Sequence, residues 1–118
     1  PPPPPPPPAP PPPPPPPRAQ RSALFSPFAG ARLTAPPLLR WRAVPKAHHF
    51  NVQVYRNGRK ILSRWPTRPQ FKLRRSWTER GRTYGLRPGV YTWFVWPAYS
   101  RTRYGRMLGR SSFRIVGR

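Results

Sequence analysis

The chain is 118 residues long, and its first seventeen are sixteen prolines and Ala9. The remaining 101 residues, enough for one small domain with a modest core, carry all 23 basic side chains and the single acid, Glu79. One carboxylate excludes paired acid/base chemistry and a carboxylate cage for a metal, and the absence of cysteine excludes disulfides, thiolate zinc sites and a thiol nucleophile. Taken in chain order, 1–17 reads as a polyproline II rod, since each ring fixes φ and removes an amide donor. At ~3.1 Å per residue it spans on the order of 50 Å. Such a rod is either a spacer or a ligand for aromatic grooves of the SH3 and WW kind. Nothing but proline flanks it to give a groove register, which favours the spacer. A chain that opens on a spacer without methionine is expected to continue upstream, in an anchor or another domain.

Segment 18–34 places Arg18, Arg21 and Arg32 among small residues with Leu24, Phe25, Phe28 and Leu33. It reads as a basic linker whose end, near 31–34, is a candidate first strand. From Pro36 the apolar period is two, the mark of half-buried strands. Leu39 and Trp41 alternate with Leu38, Arg40 and Arg42; Phe50, Val52 and Val54 alternate with Asn51, Gln53 and Tyr55. Asn57-Gly58 then predicts a tight type I′ hairpin, because both central residues need positive φ. The return run is 60–65, followed by a short strand at Phe71 and Leu73. Tyr91, Trp93 and Val95 alternate with Thr92, Phe94 and Trp96, opened by Pro88-Gly89 and closed by Pro97; Phe113 and Ile115 make the last strand. No window holds a helical stripe or an apolar run near the roughly 18 residues of a membrane helix. The expected fold is all-β, a two-sheet sandwich behind a disordered or polyproline II tail. Trp41, Phe50, Tyr91 and Trp93 are expected to meet in its interior.

The order Leu39-Arg40-Trp41, Val44-Pro45-Lys46-Ala47 and 50–55 (Phe-Asn-Val-Gln-Val-Tyr) resembles strand B, the B–C turn and strand C of fibronectin type III domains. Residues 86–95 (Leu-Arg-Pro-Gly-Val-Tyr-Thr-Trp-Phe-Val) resemble the E–F corner and strand F. The similarity covers about 35–116, is closer to divergent bacterial members than to animal matrix modules, and lacks Arg-Gly-Asp. It implies a fibronectin type III or immunoglobulin-like sandwich over 35–118, with Tyr91 as a corner tyrosine bonded back to upstream backbone. It also implies a non-enzymatic spacer or interaction module at the cell surface or outside the cell. Fold membership assigns no ligand.

Candidate sites follow from charge and phase. With a formal charge of +22, the domain repels itself and would gain by contact with a polyanion. Three basic clusters stand out: Arg56, Arg59 and Lys60 at the hairpin; Lys72, Arg74, Arg75, Arg80 and Arg82 in the middle; and Arg101, Arg103, Arg106 and Arg110 before the last strand, interleaved with Tyr99 and Tyr104. Guanidinium forks bind phosphate or carboxylate and rings can stack beside them. The outward phase of the sandwich would present Asn51, Gln53, Tyr55, Phe94, Trp96 and Arg114, a face for sugars, bases or a protein unless another segment covers it. His48 and His49 are adjacent, so on a strand they point to opposite sides and do not share a metal. Glu79 is expected to pair at the surface with Arg75, Arg80 or Arg82. The sequence therefore reads as a cofactor-free, non-catalytic module of the cell envelope or exterior. Its expected partner is an anionic cell-wall polymer, membrane surface or acidic protein. The alternatives are a cytoplasmic nucleic-acid-associated basic protein and a subunit of a larger assembly.

Overall fold

The computed structural model describes residues 3–5 and 23–117; most of the proline run, together with Arg18 and Arg21, lies outside the described residues. Every regular element among the described residues is a strand. In chain order they are β1 (Leu24–Ser26), β2 (Ala31–Leu33), β3 (Leu38–Trp41), β4 (His49–Arg56), β5 (Arg59–Arg64), β6 (Gln70–Lys72), β7 (Ser76–Glu79), β8 (Arg82–Gly85), β9 (Gly89–Ala98) and β10 (Gly109–Ile115). A three-stranded sheet has the order β1-β3-β6, a five-stranded sheet the order β2-β10-β9-β4-β5, and β7-β8 forms a separate hairpin. Among the described residues only the β2–β10 pairing is parallel.

The alternation read from the sequence decides which side chains face inward. Leu39 and Trp41 of β3 are buried while Leu38 and Arg40 are exposed. With Leu24 and Leu73, they meet Phe50, Val52, Val54, Trp93, Val95 and Phe113 of the larger sheet in one continuous core. At its centre Trp41 lies edge-on to Phe50, with centroids 5.6 Å apart at 70°, and 6.3 Å from Trp93. Tyr91 stacks on Phe113 at 5.4 Å and 10°. Each such ring removes some 150–250 Å² from water, so a few of them hold two short sheets together.

Two hairpins close by the same device. Asn57 and Gly58 take φ of 53° and 76°, and Arg80 and Gly81 take 52° and 77°, the left-handed pair that a tight two-residue turn needs. The first was legible as Asn-Gly. The second was legible only as a polar, turn-rich segment at 78–82, because an arginine at that position does not announce a type I′ hairpin. Residues 23–34 are built into both sheets, β1 against β3 and β2 against β10. Pro97 does not end β9, which continues to Ala98. Its missing amide faces the β10 side, where the ladder has already stopped at Val95–Gly109, and its carbonyl accepts instead from Gly105 N at 2.8 Å. Proline is tolerated in a strand where no partner asks for its amide.

The Tyr91 hydroxyl donates to Arg87 O at 3.0 Å and accepts from Arg87 N at 2.9 Å, fixing the entry to β9. Tyr91→Phe keeps the ring stacked but strands both Arg87 groups. It should lower unfolding free energy by about 1–3 kcal/mol, read from the midpoint of a urea titration.

Candidate anion-binding cleft and the aromatic face

β4 ends on Arg56, whose side chain crosses toward the start of β9. Its Nη2 donates to Pro88 O at 2.7 Å, its guanidinium carbon lies 5.6 Å over the Tyr91 ring, and its Nε is buried with no acceptor. Gly89 makes room for this placement: a Cβ there would come 2.8 Å from Nη2, and its φ is +145°, a conformation side chains rarely adopt. The hairpin register sets Arg59 opposite Arg56. From the other side β8 brings Arg82, whose guanidinium lies 5.7 Å over the Tyr84 ring, and Arg87 follows it. Arg56, Arg59, Arg82 and Arg87, with Tyr84 and Tyr91, line a cleft of about 480 Å³. Arg82, Arg87 and Tyr84 were not part of the hairpin cluster read from the sequence. Only the unforeseen β7–β8 hairpin carries them to it; the alternation of Trp77 and Tyr84 around Arg80-Gly81 was the available clue.

The neighbouring recess contains Lys60, Arg80 and Arg82 beside Glu79. Burial, and then the charge of Arg80, hold the Lys60 ammonium below the usual lysine pKa, with Glu79 opposing them. Glu79 itself is engaged elsewhere than expected. It accepts from Arg64 Nη1 at 2.6 Å, with side chains 13% and 33% exposed, and from Ser63 N at 3.4 Å. Arg64 also donates to Thr78 O at 2.9 Å. The pairing follows from β7 packing against β5, where Trp77 Nε1 donates to Ile61 O at 2.7 Å. Since Glu79 is the only acidic side chain, none remains to neutralise the cleft. Glu79→Gln removes the charge from a partly buried, charge-assisted contact. It should cost about 1.5–3 kcal/mol of stability, measured by urea unfolding, with the loss reduced in Arg64→Met.

The other sequence candidates fall at two further places. Arg101, Arg103, Tyr104 and Arg106 lie on the 99–108 loop beyond the far end of β9, opposite in register from Arg56. The loop is closed by Tyr99 N to Arg103 O at 2.8 Å; Arg103 stacks over Tyr99 at 5.7 Å, and the Tyr104 hydroxyl accepts from Trp65 Nε1 at 3.1 Å. Tyr55, Phe94 and Trp96 form one aromatic strip on the outer side of the five-stranded sheet. Tyr55 stands edge-on to Phe94 at 5.3 Å, Phe94 stacks on Trp96 at 6.0 Å, and exposed Arg110 sits opposite Phe94 in register. This face is not the open surface expected, because Asn51, Gln53, Phe94 and Trp96 are all buried. Its amides are also spent internally: the Tyr55 hydroxyl donates to Gln53 Oε1 at 3.0 Å, Gln53 Nε2 to Asn51 Oδ1 at 2.6 Å, and Asn51 Nδ2 to Ser63 Oγ at 3.0 Å. Burial pushes the Tyr55 phenol up from its ordinary value.

His48 lies in the loop before β4 and His49 opens the strand, so strand alternation does not separate them, and the two Nδ1 atoms meet at 2.9 Å. One ring must donate and the other accept, which requires a neutral acceptor. Among the described residues there is no group of three or more metal-ligating side chains. Burial, then the charge of His48, lower the His49 pKa from 6.5. The unfolded chain therefore binds more protons between the folded pKa and 6.5, and stability rises with pH through that window. Acidification from pH 7.5 to 5 should lower the urea midpoint, and His49→Asn should flatten that dependence.

No family model, curated protein or solved structure matches the chain. No helix among the described residues is long and apolar enough to cross a membrane.

Proposed function

We propose that the chain is a non-catalytic interaction module of fibronectin type III-like fold that holds an anionic partner in the arginine cleft between its β4–β5 and β7–β8 hairpins. The observation that carries the reading is the convergence of Arg56, Arg59, Arg82 and Arg87 on one cleft in a chain whose only acidic side chain is engaged by Arg64. Arg56 is bonded to a carbonyl rather than a carboxylate, so its charge remains available. Guanidinium forks suit phosphate, sulfate or carboxylate bidentately, and Tyr84 and Tyr91 hold two of the forks by their planes. Neutralising this cluster relieves self-repulsion in a domain of formal charge +22 and releases the partner's counterions. The fold part of the reading is supported by the residue order over 35–116 and by the Tyr91 hydroxyl closing on Arg87. On that likeness the module belongs at the cell envelope or outside the cell, where anionic wall polymers and acidic protein surfaces are its natural partners.

Titrating the protein with a teichoic-acid-like polymer, a sulfated polysaccharide and duplex DNA, each at several salt concentrations, tests this. Arg59→Gln combined with Arg82→Gln should lower the slope of log affinity against log salt by about two for duplex DNA. Arg101→Gln combined with Arg106→Gln, on the opposite loop, should change it less. Equal losses from both pairs would mean diffuse charge binding and overturn the cleft as the site. Preference for DNA over both other polymers at matched salt would favour the nucleic-acid reading instead, and concentration-dependent sedimentation without any polymer would favour an assembly subunit.

A further inference from the structure

The middle of the outer face of the five-stranded sheet, over β4 and β9, is dry although no strand lies on it among the described residues. Asn51 and Gln53 are 0% exposed, Phe94 6% and Trp96 7%. The three-stranded sheet packs on the opposite face through Leu39 and Trp41, and the β7–β8 hairpin sits by Trp77 against Ile61 at the β5 edge. The 99–108 loop meets the face at the end where Tyr104 contacts Trp65 and His49. Two neighbouring aromatic rings facing water from the middle of a sheet would keep much more of their surface.

The proline run has matching properties. Pro3 is buried, Pro4 exposed and Pro5 half-buried. A polyproline II helix makes one turn in three residues, so one side packed and one side wet is the pattern of a rod lying on a surface, not of a rod projecting into solvent. The chain also enters the sandwich in the right place. Leu24 Cγ lies 3.3 Å from where a Cβ of Gly109 would be, and β2 pairs with β10 only from Phe113 onward, leaving 109–111 as an unpaired stretch of edge among the described residues. The next residue, Arg110, is opposite Phe94 on the outer face. From β10 to β5 is three strand spacings, on the order of 15 Å, whereas residues 6–22 span on the order of 50 Å when extended.

We propose that Pro3, Pro4 and Pro5 dock in cis on the outer face, with Tyr55, Phe94 and Trp96 as their groove. The chemistry fits. Proline offers flat rings and carbonyls with no amide donor, and it is ordered before it binds, which is why aromatic grooves take it at small entropic cost. It is also uncharged. A second copy laid on the same face would bring two domains of formal charge +22 together, which their repulsion opposes. These prolines are thus a ligand of their own domain.

The chain has no cysteine, so full-length Pro4→Cys carrying a nitroxide gives a single paramagnetic probe. In the ¹⁵N-labelled protein the Trp96 indole N–H signal and the Phe94 and Gln53 amide signals should be lost with the nitroxide oxidised and return on reduction, while those of Thr83 and Gly85 persist. Survival of the outer-face signals overturns the proposal. Mixing ¹⁵N-labelled wild-type chain with unlabelled spin-labelled chain should leave all signals intact; loss there would place the run on a second copy and overturn docking in cis. In a second full-length variant, with the prolines at 3–8 replaced by glycine, exchange of the Trp96 indole proton should accelerate while cooperative unfolding is retained. Unchanged exchange would show that something other than the prolines dries the face.

Discussion

The structure rests on one junction, where Trp41 of the three-stranded sheet meets Phe50 and Trp93 of the five-stranded sheet edge-on and tilted. A domain of this size has few positions to bury, and these rings take the largest share of them. Because the strands alternate with period two, committing Trp41, Phe50, Val52, Val54, Trp93 and Val95 to the inside commits their neighbours to the outside. The arginines are then confined to turns, loops, strand ends and the outward phase of the strands, as at Arg40 and Arg114. The cleft of Arg56, Arg59, Arg82 and Arg87 follows from that exclusion: it forms where two hairpins and the start of β9 present their polar ends to one another.

The single acid shows how strongly topology, rather than proximity in sequence, decides a charge pair. Arg80 and Arg82 are next to Glu79 in the chain, yet its carboxylate turns to Arg64, fifteen residues earlier. On a two-residue hairpin the flanking arginines point around the turn, while β7 presents Glu79 toward β5. The contact is partly shielded from water and is held by three further hydrogen-bonding groups, Ser63 N, Ser63 O and Thr78 O, conditions under which an ion pair is worth more than a solvent-exposed one. Burial first, and then the charge of Arg80, disfavour the Lys60 ammonium, with Glu79 opposing them.

What was legible in the sequence was whatever period two and turn chemistry write locally. The alternation of β3, β4, β9 and β10 and the Asn57-Gly58 turn follow directly from residue type. The β7–β8 hairpin did not, because Arg80 occupies a left-handed position that asparagine or glycine would have announced. β1 was hidden by its length: three residues carry no countable period, and Leu24–Ser26 becomes a strand only because β3 offers it an edge. The same limits apply to the site. Arg56 and Arg59 could be grouped by the hairpin between them, but Arg82 and Arg87 reach them only through a long-range fold-back. For His48 and His49 the element boundary decides, since one residue of loop before β4 suffices to bring the two rings together.

The two sides of β4 and β9 make a further point about reading alternation. Period two says which residues share a face; it does not say that the second face is wet. Phe94 and Trp96 on that face are as apolar as the rings of the core, and Asn51 and Gln53 are bonded to each other and to Ser63 and Tyr55, not held out to solvent. A row of amides satisfied along its own strand needs neither water nor a polar ligand, so it can be covered by something that offers no donors without leaving buried groups unpaired. A partner rich in N–H groups would find few free acceptors there, whereas a polyproline rod brings no donor to be stranded and can turn its carbonyls to water. The internal hydrogen bonding of the face therefore selects the chemistry of its cover as firmly as the aromatic strip does. It also separates this face from the arginine cleft, whose unneutralised cations call for the opposite kind of ligand.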